Sequence, residues 1–212
     1  MRKVFLGDWS RVVRDPIDLI RASYIVGALA FAVAGKADGA LRLFVTALAV
    51  IAARLIGVPR PFDLGFCLGM ALQGWGNAFN LFDTYSWYDS VVHLFLSLFV
   101  APLFYIGLAR LEVVPDLDED VEERHHLGVF VITTALGVAF GAVYEIYEYV
   151  ADHAFGAHLA IGYADTISDL GFDLAGSMIG GGLLVVWGVY GWGTSRRVPE
   201  KRLAGVAARR GG

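Results

Sequence analysis

The sequence predicts an all-α, polytopic membrane protein: a bundle of six transmembrane helices with both termini in the cytoplasm. Three observations predict this fold class. Of the 212 residues, 57% are hydrophobic and 18% are charged, with a mean hydropathy of +0.58, whereas a soluble domain of this length carries more charge. The apolar residues form segments of about 20 residues, the length that crosses a bilayer. Lys and Arg concentrate in alternate connecting segments, as in membrane proteins of fixed orientation.

Six apolar segments are long enough to cross the hydrocarbon core of a bilayer. They lie near residues 17–35, 39–58, 62–82, 89–109, 127–151 and 167–193. We expect them to form one transmembrane domain over residues 1–195, followed by a flexible basic tail over 196–212. The start of the chain has no short apolar region followed by a cleavage site, so no cleavable signal peptide is predicted.

The distribution of Lys and Arg predicts the orientation of the six segments. The start of the chain, the connections near residues 54–60 and 110–126, and the tail are basic, whereas the opposite side has Lys36 and Arg42. Because cytoplasmic loops are enriched in Lys and Arg, both termini are expected in the cytoplasm. The tail is also expected to touch the head groups of membrane lipids.

Pairs of glycines four residues apart predict close packing of the third, fifth and sixth segments. Such pairs let two helix backbones approach each other in lipid. The alternative is that glycine is simply frequent in membrane helices. The pairs are Gly65 and Gly69, Gly137 and Gly141, and Gly176 and Gly180.

Acidic side chains collect at the predicted outer ends of the last three segments. Helical spacing places Asp89 and His93 on one face of the fourth segment and Glu145 and Glu148 on one face of the fifth. Asp165, Asp169 and Asp173 share a face of the sixth. No Lys or Arg lies between Arg124 and Arg196, so nearby sequence offers these acids no cationic partner unless Lys36 or Arg42 reaches them.

A structural explanation competes with a functional one for several of these acids. Thr166-x-x-Asp169 matches a capping box, and Asp89 and Asp165 are favoured by the dipole at a helix N-terminus. Glu145 and Glu148 lie near a predicted helix C-terminus, where the dipole disfavours anions. A charged acid also costs about 2.5–3.5 kcal/mol at the bilayer centre. For these two glutamates a functional role is favoured.

So many ionised acids cannot share a low-dielectric site unless protons or a cation neutralise them. Oxygen-rich ligation with one histidine suits Mg²⁺, Mn²⁺ or Ca²⁺, or a carboxylate-rich Fe or Zn site. We therefore predict a divalent metal ion, with Glu145 and Glu148 as catalytic bases or bridging ligands. The predicted metal ligands are Asp89, His93, Glu145, Glu148, Asp165, Asp169 and Asp173.

Three motifs resemble an uncharacterised bacterial and archaeal family of inner-membrane proteins, the YjdF-like family. They are Tyr88-Asp89-x-x-x-His93, Tyr144-Glu145-x-x-Glu148, and Asp165-Thr166-x-x-Asp169 followed by Gly176. The resemblance to the YjdF-like family covers roughly residues 83–180. It implies a multi-pass protein of the prokaryotic inner membrane and marks the acidic positions, but it implies no activity. A weaker resemblance to VanZ-like membrane proteins lies in the Asp-x-x-x-His motif and the later acids.

Three functions remain open. The first is a metal-dependent enzyme acting on a lipid, a lipid-linked or a small-molecule substrate from the outer side. The second is a proton- or cation-coupled transporter, because acids inside a membrane mark such routes. The third is a structural membrane protein whose acids hold a stabilising ion. The sequence has no basic patch with interleaved aromatic residues, so no nucleic-acid partner is expected.

Overall fold

The computed structural model describes residues 16–56, 58–117, 124–155 and 162–190. Within these ranges every element is a helix, which confirms the all-α prediction. The predicted tail at 196–212 and the last residues of the sixth predicted segment lie outside the described residues. The helices are α1 Pro16–Val33, α2 Ala37–Ile56, α3 Arg60–Ala78, α4 Leu81–Thr84, α5 Tyr88–Arg110, α6 His125–Phe155 and α7 Tyr163–Tyr190.

Five of these helices are long and apolar enough to cross a membrane: α1, α2, α5, α6 and α7. The chain is therefore an all-α polytopic membrane protein. Helix α3 matches the third predicted segment, but it is less apolar than the other long helices because it carries Asp63, Gln73 and Asn77. Each of these polar side chains bonds to a neighbouring helix. The polar residues of α3 thus face neighbouring helices rather than lipid.

Contacts between side chains show that the consecutive helices α1, α2 and α3 run antiparallel. At one end of the bundle, Arg42 of α2 donates a 2.7 Å hydrogen bond to Asn77 of α3. At the other end, Arg54 of α2 donates a 2.8 Å hydrogen bond to Asp18 of α1. We call the first the acidic end, because the acidic motifs at the start of α5, at the start of α7 and toward the end of α6 lie there. Helices α5, α6 and α7 pack together, and α3 joins them to α1 and α2.

The paired glycines lie where helices approach most closely, which confirms their predicted packing role. A methyl group added to Gly176 or Gly180 of α7 would collide with the backbone carbonyl of Leu94 or Leu98 in α5. One added to Gly141 of α6 would collide with the carboxylate of Asp173. The glycines therefore set the spacing of the helices that carry the acids.

A buried ionic network, which the sequence did not predict, joins α1, α2 and α3 at the opposite end. Arg21 bonds to both Asp18 and Asp63, and Arg54 bonds to Asp18. The prediction that Arg54 lies in a basic loop was wrong, because helix α2 continues to Ile56 and turns this side chain toward Asp18. Removing one partner of a buried network typically costs about 3–5 kcal/mol, because a charge is left unpaired.

Candidate metal centre

Three helices deliver the acidic motifs to one place at the acidic end. Asp89 lies in the first turn of α5 and His93 lies one turn further on. Helix α6 contributes Glu145 and Glu148, and α7 contributes Asp169 and Asp173, and all four carboxylates are buried. The spacings of three and four residues keep each pair on one helix face, and the glycine contacts hold the three faces together.

His93 lies at the centre of this arrangement. Its Nδ1 atom is 3.2 Å from Oδ2 of Asp173, and Ser97 donates a hydrogen bond to the other oxygen of Asp173. Its Nε2 atom faces Oδ1 of Asp89 at 3.6 Å and Oε1 of Glu145 at 3.8 Å. A carboxylate on one ring nitrogen fixes the orientation of a ligating histidine and leaves the other nitrogen for a metal. The geometry of His93 matches this pattern.

Asp89, His93 and Asp169 form a group that can hold a metal ion. Each offers one ligand atom, and the three atoms lie within 4.8 Å of one another. Two ligands of one ion, each at about 2.0–2.6 Å from it, can be separated by at most about 5 Å. Small side-chain adjustments are therefore enough to bring all three atoms onto a single ion.

Glu145 adds an observation that points to a ligand. The residue is 7% exposed, and within the described part of the chain its Oε1 atom has no hydrogen-bond partner. The Oε1 atom lies 3.8 Å from Nε2 of His93, which is beyond hydrogen-bond distance. A buried polar atom without a partner is costly, and a bound cation would satisfy it.

Glu148 and Asp165 complete the cluster at its edges. Glu148 is buried and interacts electrostatically with Glu145 and Asp169, as well as with Asp89 and His93. Asp165 is half-buried and interacts electrostatically with Asp89 and Asp169. The structure thus brings all seven residues of the predicted site into one neighbourhood, although the compact ligand group contains three of them.

Among the described residues, no Lys or Arg forms an ion pair with these acids. Arg42 pairs with Asp38 at 2.8 Å, and Lys36 lies over the ring of Phe31 at 5.6 Å. Neither residue neutralises the cluster. His93 is the single basic side chain in contact with it in the described part of the chain.

The helix bounds correct two parts of the sequence argument. Helix α7 begins at Tyr163, so Asp169 lies beyond the first turn and the predicted Thr166–Asp169 capping box is wrong. Asp89 and Asp165 do lie in first turns, where the helix dipole favours an acid. Helix α6 continues to Phe155, more than two turns past Glu145. The expectation that Glu145 and Glu148 lie at a helix C-terminus was therefore wrong, and their burial carries the functional argument instead.

The sequence argument missed Ser97 and Tyr144. Ser97 follows Asp89 and His93 at the same four-residue spacing, so a search along that helix face would have found it. The ring of Tyr144 lies 5.8 Å from the ring of His93, and Gln73 donates a 2.7 Å hydrogen bond to the Tyr144 hydroxyl. This contact joins α3 to α6, and no sequence pattern within either helix predicts it.

Comparison with known protein families gives a match over most of the chain. A family described as predicted membrane protein (DUF2238) matches residues 20–189, which is more than half of the chain and includes every residue of the site. Searches of curated proteins and of solved structures found no significant match.

Proposed function

The chain belongs to the family of predicted membrane proteins DUF2238, and from this premise we propose a metal-dependent membrane enzyme. Asp89, His93 and Asp169 bind a divalent cation, and the enzyme acts on a phosphate-bearing lipid or lipid-linked substrate. The unpartnered Oε1 atom of Glu145, buried beside a three-residue ligand group, is the observation that carries the proposal. Four buried carboxylates without a Lys or Arg partner in the described residues support it.

Each residue of the site has a role in this proposal. The cation supplies a Lewis acid for a phosphate oxygen or for water. Glu145, whose Oε1 atom lies 3.8 Å from Nε2 of His93, would complete the ligand set of the ion or would accept the proton of a water that attacks phosphorus, while the lipid alcohol leaves. Asp173 is a positioning residue, since it contacts Nδ1 of His93 rather than the ligating side. Glu148 and Asp165 provide negative charge around the ion or a second set of ligands.

The chemistry of the ligands limits the choice of ion. Carboxylates with one imidazole suit Mg²⁺, Mn²⁺ or Ca²⁺, and also carboxylate-rich Zn or Fe sites. In the orientation that the Lys and Arg distribution predicts, the site would lie on the outer side of the membrane, and the YjdF-like resemblance implies that this membrane is a prokaryotic inner membrane. An enzyme at this position would receive its substrate from the outer leaflet.

Metal analysis of protein purified in mild detergent tests the proposal. Wild-type protein should retain stoichiometric divalent metal, and Asp169→Asn and His93→Ala should lose it. Asp83→Asn is the matched control, because Asp83 is an exposed acid at the same end of the bundle and should leave the metal in place. A metal-free wild-type protein whose melting temperature is unchanged by Mg²⁺, Mn²⁺, Ca²⁺ or Zn²⁺ would overturn metal binding. If metal binds but no phosphate is released from lipid phosphates in proteoliposomes, the enzymatic part fails.

A second candidate, proton or cation transport, is favoured by two buried hydroxyls beyond Asp173. Ser177 of α7 and Thr133 of α6 are fully buried, and within the described residues neither hydroxyl has a hydrogen-bond partner. They extend a polar line from Asp173 into the interior of the α5–α6–α7 group. A flux in liposomes that follows a pH gradient and falls in Ser177→Ala would support transport, and the absence of such a flux would remove this candidate.

A further inference from the structure

A long lateral groove lies between α2 and α6, with α3 and α5 beneath it. Its volume is about 770 Å³. Along α2 it extends from Asp38 to Ile56, a distance of about 27 Å at 1.5 Å per residue. That length approaches the roughly 30 Å thickness of the hydrocarbon core of a bilayer. Because α2 and α6 are both membrane-crossing helices by length and composition, the groove opens toward lipid.

The groove is apolar along most of its length and polar at one end. Val45, Ala49, Val100 and Leu103 are among the side chains of the apolar part. At the acidic end the lining changes to Asp38, Arg42, Gln73, Asn77 and Tyr144. A lipid has the same division, with a hydrocarbon chain at one end and a polar head group at the other.

The polar residues at this end form one hydrogen-bonded row that ends beside the metal centre. Arg42 donates to Asn77 at 2.7 Å, and the side chain of Asn77 donates to the backbone carbonyl of Gln73 at 2.9 Å. Gln73 in turn donates to the hydroxyl of Tyr144 at 2.7 Å, whose ring contacts His93. These hydrogen bonds hold the guanidinium of Arg42 at the polar end of the groove.

A small crevice of about 20 Å³, room for about one water molecule, lies between the groove and the metal centre. Four residues line both spaces: Gln73, Leu96, Phe140 and Tyr144. The crevice also reaches His93 and Asp173. A molecule whose chain lies in the groove would therefore place its head group beside Gln73 and Tyr144, on the groove side of this crevice.

We propose that this groove binds the hydrocarbon chain of a lipid whose head group is a phosphate, held between Arg42 and the metal centre. The inference rests on the proposed function for the role of the ion, and it adds the place where the lipid chain and the phosphate bind. Within the described residues, the Lys and Arg side chains at the acidic end are Arg42 of α2 and Lys36 of the turn that precedes α2. The Asp38 partner of Arg42 is largely exposed, and such surface pairs are weak. A phosphate can therefore compete for the guanidinium, which binds phosphate with two parallel hydrogen bonds.

Equilibrium binding of a fluorescent hexadecyl phosphate to the detergent-purified protein tests the groove. Ala49→Trp places an indole among the lining residues and should weaken binding about tenfold or more, because the chain loses its space. Leu48→Trp is the matched control: Leu48 is the preceding residue of α2, is exposed, and does not line the groove. Ala52→Trp, at an exposed lining position, gives a second variant if Ala49→Trp fails to fold. Equal binding by the lining variants and Leu48→Trp would overturn the proposal.

The head group is tested with the uncharged hexadecanol analogue. Arg42→Gln should weaken binding of the phosphate about tenfold and leave binding of the alcohol unchanged, because it removes a charge-assisted contact. Equal loss for both probes would refute the predicted phosphate position.

Asp169→Asn separates this proposal from the metal-dependent function. If Asp169→Asn and wild type are both metal-free but both bind hexadecyl phosphate, the groove stands and the metal hypothesis fails. If wild type binds metal and not the lipid, the groove hypothesis fails.

Discussion

At the scale of single residues, the neighbours of His93 distinguish a residue that positions the ring from the residues on its metal-binding side. Sequence spacing placed seven residues in one site without ranking them. The structure gives Asp173 the Nδ1 side of the ring and leaves Nε2 toward Asp89 and Glu145. Asp173, nearly three turns into α7, thus contacts the histidine from the side away from the ligand group. This difference in position separates a positioning role from a ligating one.

Asp173→Asn should lower the affinity for the divalent cation by about 10- to 100-fold without abolishing the site. The substitution keeps the size of the side chain but removes the charge that orients His93. Titration of metal-free protein with Mn²⁺ measures the change. Ser97→Ala should weaken affinity less, because Asp173 keeps its contact with His93. An unchanged affinity in Asp173→Asn would contradict the role given to Asp173.

The grouping of the acidic residues was predictable from the sequence because their motifs repeat at helical spacing. Asp89 with His93, and Glu145 with Glu148, each need only one regular helix to share a face. The structural alternatives were less predictable, because they depend on where a helix begins. Helix α7 begins about one turn before the predicted segment, which removed the capping box at Thr166 and Asp169. Helix α6 ends about one turn after the predicted segment, which removed the C-terminal position of the two glutamates. Element boundaries are the least certain part of any prediction from sequence.

At the scale of elements, the contact between α5 and α7 decides the geometry of the site. Gly176 and Gly180 lie against backbone carbonyls of α5, and a backbone cannot move aside as a flexible side chain can. Close approach of these helices places Asp169 and Asp173 beside Asp89 and His93. The four-residue glycine spacing predicted such an approach but could not name the partner helix.

Gly180→Ala should destabilise the protein by about 1–3 kcal/mol, because the added methyl group collides with the Leu98 carbonyl. Gly182→Ala is the control on the same helix. A methyl group there meets nothing within 4 Å, so the change should be neutral or stabilising by about 0.5–1 kcal/mol. Thermal unfolding in detergent compares the two variants. Equal melting temperatures would show that the α5–α7 approach is not close-packed at Gly180.

At the scale of the whole molecule, the course of α3 bears on the number of membrane crossings. Its Asp63 bonds to Arg21 at one end of the bundle and its Asn77 bonds to Arg42 at the other. With 19 residues, α3 is about 28 Å long at 1.5 Å per residue, close to the thickness of the hydrocarbon core. We therefore expect α3 to cross as well, with its polar residues covered by neighbouring helices, which gives six crossings.

Cysteine labelling tests the number of crossings and the orientation. In a Cys67→Ser background, an impermeant maleimide should label Lys36→Cys in intact cells. It should not label Val113→Cys or Val198→Cys, because six crossings with cytoplasmic termini place both inside. Permeabilised cells provide the control, since all three variants should then react. Labelling of Val198→Cys in intact cells would contradict the predicted position of the C-terminus.

The sequence by itself determined the class of the protein and which acidic residues share a helix face. Apolar length and helical periodicity are local properties, so they specify membrane-crossing helices and the residues that share a face. Tertiary structure alone decided the rest: the Asp18–Arg21–Arg54–Asp63 network, the Tyr144–Gln73 contact, the groove between α2 and α6, and the orientation of His93. Each of these depends on which helices become neighbours. That choice depends on the fit of whole helix surfaces, which no single segment of sequence contains.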